Sequence, residues 1–263
     1  MAYKNPSIKL PERPGDTKKS GISSKTSATV EYRELSPAYF MFIDVLGFKD
    51  TFESSEKQVK KVFEYFATLI NQMQCLDKDS EHCYAGQTSD SLYFYTDKLE
   101  YLIGFVNVFL HFNIYAMSNN IYFRGGISKG KLHVNKPYQF YGDCVINSFK
   151  LESDIAKFPR IAVDKSTFDD IKEKDLLWSF DGEGNPEIEK RHYINPFSKI
   201  VLEEIDCYLG VVGAQYFKND QKVLKTVGKH LKENVNKYEF SDSTYNKYIY
   251  LLNSYNSFMT GIE

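Results

Sequence analysis

Cysteine is scarce and scattered. Cys75, Cys83, Cys144 and Cys207 are the only four in 263 residues, and no two form a CxxC pair. That spacing argues against a zinc site or a disulfide framework and fits reduced thiols in a cytoplasmic protein. Neither sign of charge dominates: 33 Lys and Arg stand against 35 Asp and Glu, a formal net charge of −2. No global field draws such a chain to nucleic acid or to an anionic membrane. No apolar run reads as long enough to span a bilayer. The N-terminus has lysines but no apolar stretch of the kind that marks a secretory signal. His82, His111, His133, His192 and His230 lie apart, without metal-ligand spacing. Internal repeats are absent. What the chain has in plenty is aromatic, 20 Tyr and 20 Phe, read here as core filling.

The length suits one sizeable domain with appendages, or two small ones. Residues 1–33 carry Pro6, Pro11, Pro14, Gly15 and Gly21 among many Ser, Thr and Lys, without apolar periodicity, and read as a flexible arm. Tyr39–Val45 reads as a buried strand. Residues 56–74 place Val59, Val62, Phe63, Phe66, Leu69, Ile70 and Met73 at helical intervals. Residues 82–86 and 90–96 read as two strands around a turn, 98–118 as an apolar helix, and 121–130 as a strand with close backbone approach at Gly125–Gly126. A loop or irregular arm is expected over 131–141. Residues 142–157 show helical spacing at Val145, Phe149, Leu151 and Ile155. Short elements follow: a strand at 160–163, a helix at Ser166–Ile171, a strand at 187–194. Two closing helices, 217–235 and 243–258, suggest a cap or dimer element. The order is β-α-β-β-α-β with further pieces, an α+β class of ferredoxin-like topology in which an antiparallel sheet carries helices. The boundaries read as arm 1–33, core 34–200 and C-terminal helical extension 201–263.

One residue in the first strand is out of character. Asp44 ends the run Tyr39–Phe48, YFMFIDVLGF. A carboxylate in such a run is costly unless it is paired or binds a metal. On its own it also suits an N-cap of the following segment. Asp90, in GQTSDSLYF, opens the third strand, where a plain turn Asp is the ordinary role. In a βαββ order, strands one and three are neighbours, so the two carboxylates can meet at one end of the sheet. Like charges that close call for a counter-ion. Oxygen-only ligands point to Mg²⁺ or Mn²⁺ and to phosphoryl chemistry. The turn Val45–Leu46–Gly47–Phe48, at a helix start, offers backbone N–H groups to phosphate oxygens.

FIDVLGF, SDSLYFY, FRGGISKGKLHV, YQFYGDCVINSFKLES and IAVDKSTF, in that order and over Tyr39–Phe168, resemble the class III nucleotide cyclase domain. The resemblance is to the stand-alone bacterial cyclases of the Pycsar antiphage system, which make cyclic UMP or cyclic CMP. It implies two Mg²⁺ or Mn²⁺ ions on Asp44 and Asp90, with the Val45 carbonyl as a further ligand. It also implies a head-to-tail homodimer with sites at the interface. The reaction is attack of the ribose 3′-hydroxyl on the α-phosphate with release of pyrophosphate, and the product signals in antiphage defence.

The chain departs from the purine cyclases of that class at four positions. Their base-reading Lys, four residues before the second Asp, is Gly86 here, and their second base-reading acid is Gln139. Both losses argue against ATP and GTP. A Gln amide can face a pyrimidine edge as donor or acceptor. The transition-state Asn and Arg fall on Ile146 and Lys150, with Asn147 beside the first. Lys150, Arg124 and Asn147 are therefore the catalytic candidates. Lys129, Lys131, Lys190 and Arg191 are further cations whose ordinary role is a solvated surface charge. Tyr138 and Tyr141 are placed to touch the base. The expectation is a pyrimidine nucleotide cyclase, UTP ahead of CTP. The alternatives are a purine cyclase with a rewired pocket, a silent cyclase-like dimer, and a diguanylate cyclase relative, whose acidic residues after the glycine pair RGGIS lacks.

Overall fold

The computed structural model describes residues 31–74, 81–136, 138–172, 180–181, 192–198, 221–239 and 242–261. Its frame is an eight-stranded mixed sheet of order β2-β3-β1-β4-β6-β8-β7, with β5 paired to β4. β1 (Arg33–Val45), β2 (Cys83–Thr88), β3 (Ser91–Thr96) and β4 (Phe123–Lys136) form an antiparallel block. α1 (Phe48–Ser54) and α2 (Glu56–Gln74) join β1 to β2, and α3 (Leu99–Met117) joins β3 to β4. This is the expected βαββαβ order with β1 in the middle. The sheet is not wholly antiparallel. β6 (Ile161–Val163) runs parallel to β4, after α4 (Asp143–Lys150) and a π-helical turn (Leu151–Ile155) carry the chain across.

Alternation along β1 divides the interior in two. Tyr39, Met41, Ile43 and Val45 face the larger core, which α2, α3, α6 (Gln221–Lys237) and α7 (Asp242–Thr260) complete. Phe40 and Phe42 face the other side, with Tyr93, Tyr95, Leu132 and Val134. Burying one such aromatic ring is worth about 2–3 kcal/mol. α3 is the one described helix long and apolar enough to cross a membrane by length and composition, against the expectation that no run would be; most of it is buried in the core. α6 docks on it through buried Leu224, Val227 and Leu231. Asn234 ties that helix down by donating to Asn120 Oδ1 at 2.7 Å and Tyr122 Oη at 2.9 Å.

Several expectations need correcting. β1 starts at Arg33, inside the stretch read as an arm, and shifts register between Leu35 and Ala38. The stretch read as a loop, 131–141, is a β-ribbon: β4 runs on to Lys136 and β5 (Gln139–Gly142) folds back on it. Hydrogen bonding to β1 and β5 on its two sides keeps β4 extended that far. β7 (Phe180–Asp181) and β8 (His192–Ile194) complete the far edge, and α5 (Lys165–Ile171) follows β6. Of the late strand expected at 187–194, residues 187–191 lie outside the described residues, as do Lys190, Arg191, Cys207 and 1–30 of the arm.

The helix after Gly142 packs Val145, Leu151 and Ile155 of its apolar spacing against the core, but the residues it buries most deeply lie beside them. Cys144, Ser148 and Glu152 are buried, at four-residue intervals. Ile146 and Phe149 are 58% and 43% exposed. The reason lies in the strand beneath. A Cβ on Gly126 would stand 2.3 Å from the Ser148 carbonyl oxygen and 2.6 Å from Leu151 Cβ. Two backbones this close admit only small side chains between them. Ile146 is left facing out, and Phe149, though it packs on Phe42 with ring centroids 4.0 Å apart, stays partly exposed.

Candidate active site

The second sheet face is a ladder of rows. Thr88, Ser91, Asp44 and Arg124 stand opposite one another across β2, β3, β1 and β4. The next row, one pleat away, is Gly86, Tyr93, Phe42 and Gly126. Side chains of directly opposed residues are neighbours, so the register alone brings Ser91 and Arg124 to Asp44. Ser91 Oγ donates to Asp44 Oδ1 at 3.2 Å, and Arg124 Nη2 donates to Asp44 Oδ2 at 3.3 Å. Asp90 sits in the tight turn between β2 and β3, where Ser89 has φ 53°. Its carbonyl accepts from the Val45 N–H at 3.3 Å, which pins the turn against the end of β1.

The Asp44 side chain is only 19% exposed. Burial pushes its carboxyl above the usual range; Arg124 opposes the shift and the Asp90 charge adds to it. A carboxylate whose ionisation a second carboxylate opposes, among oxygen-donating neighbours, offers donors suited to a hard divalent cation. Asp44, Asp90 and the Val45 backbone therefore fit Mg²⁺ or Mn²⁺ by donor chemistry. No group of three or more His, Cys, Asp or Glu side chains that could hold a metal ion clusters among the described residues, so protein carboxylates could offer two donors and not a full cage.

Glu152 completes the local charge pattern and escaped the sequence reading. Its Oε1 lies 2.6 Å from Arg124 Nε in an ion pair, out of line for a hydrogen bond. Burial raises its carboxyl also, against the pull of Arg124. Lys247, on α7, is held below the usual lysine range by burial and then by the Arg124 charge. The available signal for Glu152 was the four-residue spacing Cys144–Ser148–Glu152. Apolar periodicity passes over it because none of the three is a large hydrophobe.

The other expected residues fall into separate places. Leu46 N–H donates to the Tyr122 carbonyl at 2.8 Å, closing the β1 end. Gly47 has φ +71°, the left-handed turn that leads into α1 at Phe48. Gly86 lies beneath an aromatic ring: a Cβ there would be 2.4 Å from Tyr93 Cζ and Oη and 2.9 Å from Tyr84. Phe140 packs on Tyr93 with ring centroids 5.0 Å apart, so the β4–β5 ribbon curls back over this face. Gln139 and Tyr141 flank Phe140. Gln139 Oε1 accepts from Asn135 Nδ2 at 2.9 Å, and Tyr141, 54% exposed, stacks on His133. Tyr138 is likewise exposed. Asn147 and Lys150 are exposed on α4, and no ion pair or hydrogen bond joins them to Asp44 among the described residues. Lys129 pairs with Asp170 at 2.7 Å, away from Asp44.

No protein-family model matches this sequence, and no curated protein matches it significantly. Solved structures do resemble it. A bacterial light-regulated adenylyl cyclase is 16% identical with a TM-score of 0.47, over 76% of this chain and 59% of that one. The adenylyl cyclase CyaB from P. aeruginosa is 14% identical with a TM-score of 0.46, over 62% and 95%. The guanylate cyclase domain of RhGC from Catenaria anguillulae, in complex with GTP, is 13% identical with a TM-score of 0.45, over 62% and 97%. At such identities the likeness is one of fold alone.

Proposed function

We propose that this protein is a metal-dependent nucleotide cyclase that turns a pyrimidine nucleoside triphosphate, UTP ahead of CTP, into its 3′,5′-cyclic monophosphate and pyrophosphate. The observation that carries the reading is that β1 and the β2–β3 turn bring Asp44 and Asp90 to one end of the central strands, near enough for the Asp90 charge to act on Asp44. Asp44, Asp90 and the Val45 carbonyl would hold two Mg²⁺ or Mn²⁺ ions, which when bound supply charge neutralisation for a triphosphate and acidify the ribose 3′-hydroxyl. The chain's own residues do the rest. Ser91 and Arg124 orient the Asp44 carboxylate. The Val45 and Leu46 N–H groups, expected to face phosphate, are taken by the Asp90 and Tyr122 carbonyls, so a phosphate contact in this turn would fall at Phe48, where α1 starts.

Base choice is read from Gly86. A purine-reading side chain cannot start there while the Tyr93 ring fills the space, and Gln139 on the curled ribbon offers an amide instead. The active unit in this reading is a head-to-tail homodimer. Exposed Ile146 and Phe149 on α4 support it, because an apolar surface of this kind suits a partner. Asn147 and Lys150 would then act on the site of the opposite copy. A place in antiphage signalling follows from the motif resemblance and goes with this proposal.

The test is incubation with ATP, GTP, CTP and UTP separately in Mn²⁺, with mass analysis of the products. Cyclic UMP or cyclic CMP alone, abolished by Asp44→Asn, is the expected result. A purine product would overturn the base assignment and leave the cyclase; no product together with no nucleotide binding would overturn both.

A further inference from the structure

Glu152 is the only buried carboxylate among the described residues. Burying a carboxylate beside a guanidinium brings little net stability compared with an apolar side chain of similar size, so stability alone does not account for it. Its neighbours do. Arg124 cannot avoid Asp44, because the β1–β4 register sets the two directly opposite. With Asp44 as its one carboxylate partner, the guanidinium would close fully on the two oxygens, the bidentate geometry it favours. Instead it is divided: 2.6 Å from Glu152 on the π-helical turn and 3.3 Å from Asp44 on β1. From α7, Lys247 adds a second positive charge on the same side.

We propose that Glu152 is a positioning residue that keeps Arg124 from closing over Asp44, and so sets how tightly the Asp44–Asp90 pair takes up a divalent cation. This rests on the reading of that pair as a cation site. Two consequences follow from the geometry. Removing the Glu152 charge releases Arg124 to Asp44. Shortening the side chain by one methylene keeps the charge but withdraws it from Nε.

Calorimetric titration of the full chain with Mn²⁺ tests this, below the melting temperature of each variant. Glu152→Gln is expected to weaken Mn²⁺ binding about tenfold, equivalent to about 1.4 kcal/mol. Glu152→Asp is expected to weaken it several-fold. Wild-type affinity in Glu152→Gln, even with a lowered melting temperature, would leave Glu152 a purely structural residue and overturn the proposal. So would wild-type affinity in Glu152→Asp, which would mean that the charge acts through space and not through Arg124. Asp44→Asn separates the two readings. If wild-type Mn²⁺ binding does not depend on Asp44, the cation site fails and this inference with it. Asp44-dependent binding that ignores Glu152 defeats this inference alone.

Discussion

Gly126→Ala is the substitution that most directly probes how α4 is placed. The added Cβ would lie 2.3 Å from the Ser148 carbonyl oxygen, 2.6 Å from Leu151 Cβ and 3.1 Å from the Glu152 nitrogen. The first and third are backbone atoms, so no side-chain rotation relieves the clash. Ordinary contact begins near 3.4 Å, and α4 with its π-helical turn must rise by about 1 Å. Overpacking of this kind costs about 1–3 kcal/mol. The absence of a rotamer escape puts it at the upper end, about 3 kcal/mol, or a fall in Tm of roughly 6–12 °C for a chain of this size. Two other glycines serve as internal standards. At Gly130 the nearest obstacle is the Asp143 carboxylate at 2.2 Å, which would have to give up its bonds from the Lys131 and Cys144 N–H groups to turn aside, with the Cys144 nitrogen itself 3.1 Å away. At Gly47 nothing lies within 4 Å, and the cost of Ala is that of a left-handed backbone, about 1 kcal/mol. Gly126→Ala is expected to destabilise more than Gly47→Ala, with Gly130→Ala also above Gly47→Ala, measured by thermal and urea unfolding followed by circular dichroism. Gly126→Ala should also weaken Mn²⁺ binding, since the same lift draws Glu152 from Arg124. A Gly126→Ala protein as stable as Gly47→Ala would refute the close-packing argument.

Further outcomes are expected elsewhere. Asp164 caps α5 by accepting from the Thr167 N–H at 2.7 Å, and its second oxygen accepts from Ser128 Oγ at 2.6 Å and the Lys129 N–H at 3.0 Å. Asp164→Ala should cost about 3 kcal/mol, from a lost cap and lost charge-assisted bonds across the parallel β4–β6 pair; a loss under about 1 kcal/mol by urea unfolding would contradict this. Glu152 also predicts a pH signature. Its carboxyl is raised by burial, so the folded state binds that proton more tightly than the unfolded state. Its contribution to stability is most favourable below the ordinary Glu pKa and declines as pH rises through the raised one. The stability of wild type relative to Glu152→Gln should therefore fall with rising pH across that window and then level off. A difference that rises with pH would show that Arg124 outweighs burial.

Much of the frame was legible in the residues. Period two in Tyr39–Val45, period 3.6 in 56–74 and the turn residues between 86 and 90 are local properties, and they place the buried end of β1, α2 and the β2–β3 hairpin, although β1 starts earlier, at Arg33, and β2 runs on to Thr88, past the 82–86 read for it. The order of these elements leaves few topologies, and the observed one sets β1 between β3 and β4, so Asp44 and Asp90 at the same end of the sheet follow from strand order. Tertiary structure decided what depends on distance across the fold. β4 continues through 131–136 because strands flank it on both sides, which local composition does not report. α4 turns Cys144, Ser148 and Glu152 inward because Gly126 lets two backbones nearly touch, and a hydrophobic pattern passes over two of the three. The Arg124 guanidinium is shared between Asp44 and Glu152, 28 residues further on, because a strand register and a helix path converge there. Covalent spacing dictates periodicity and order; which buried charges meet is set by register and close packing, and those exist only once the chain has folded.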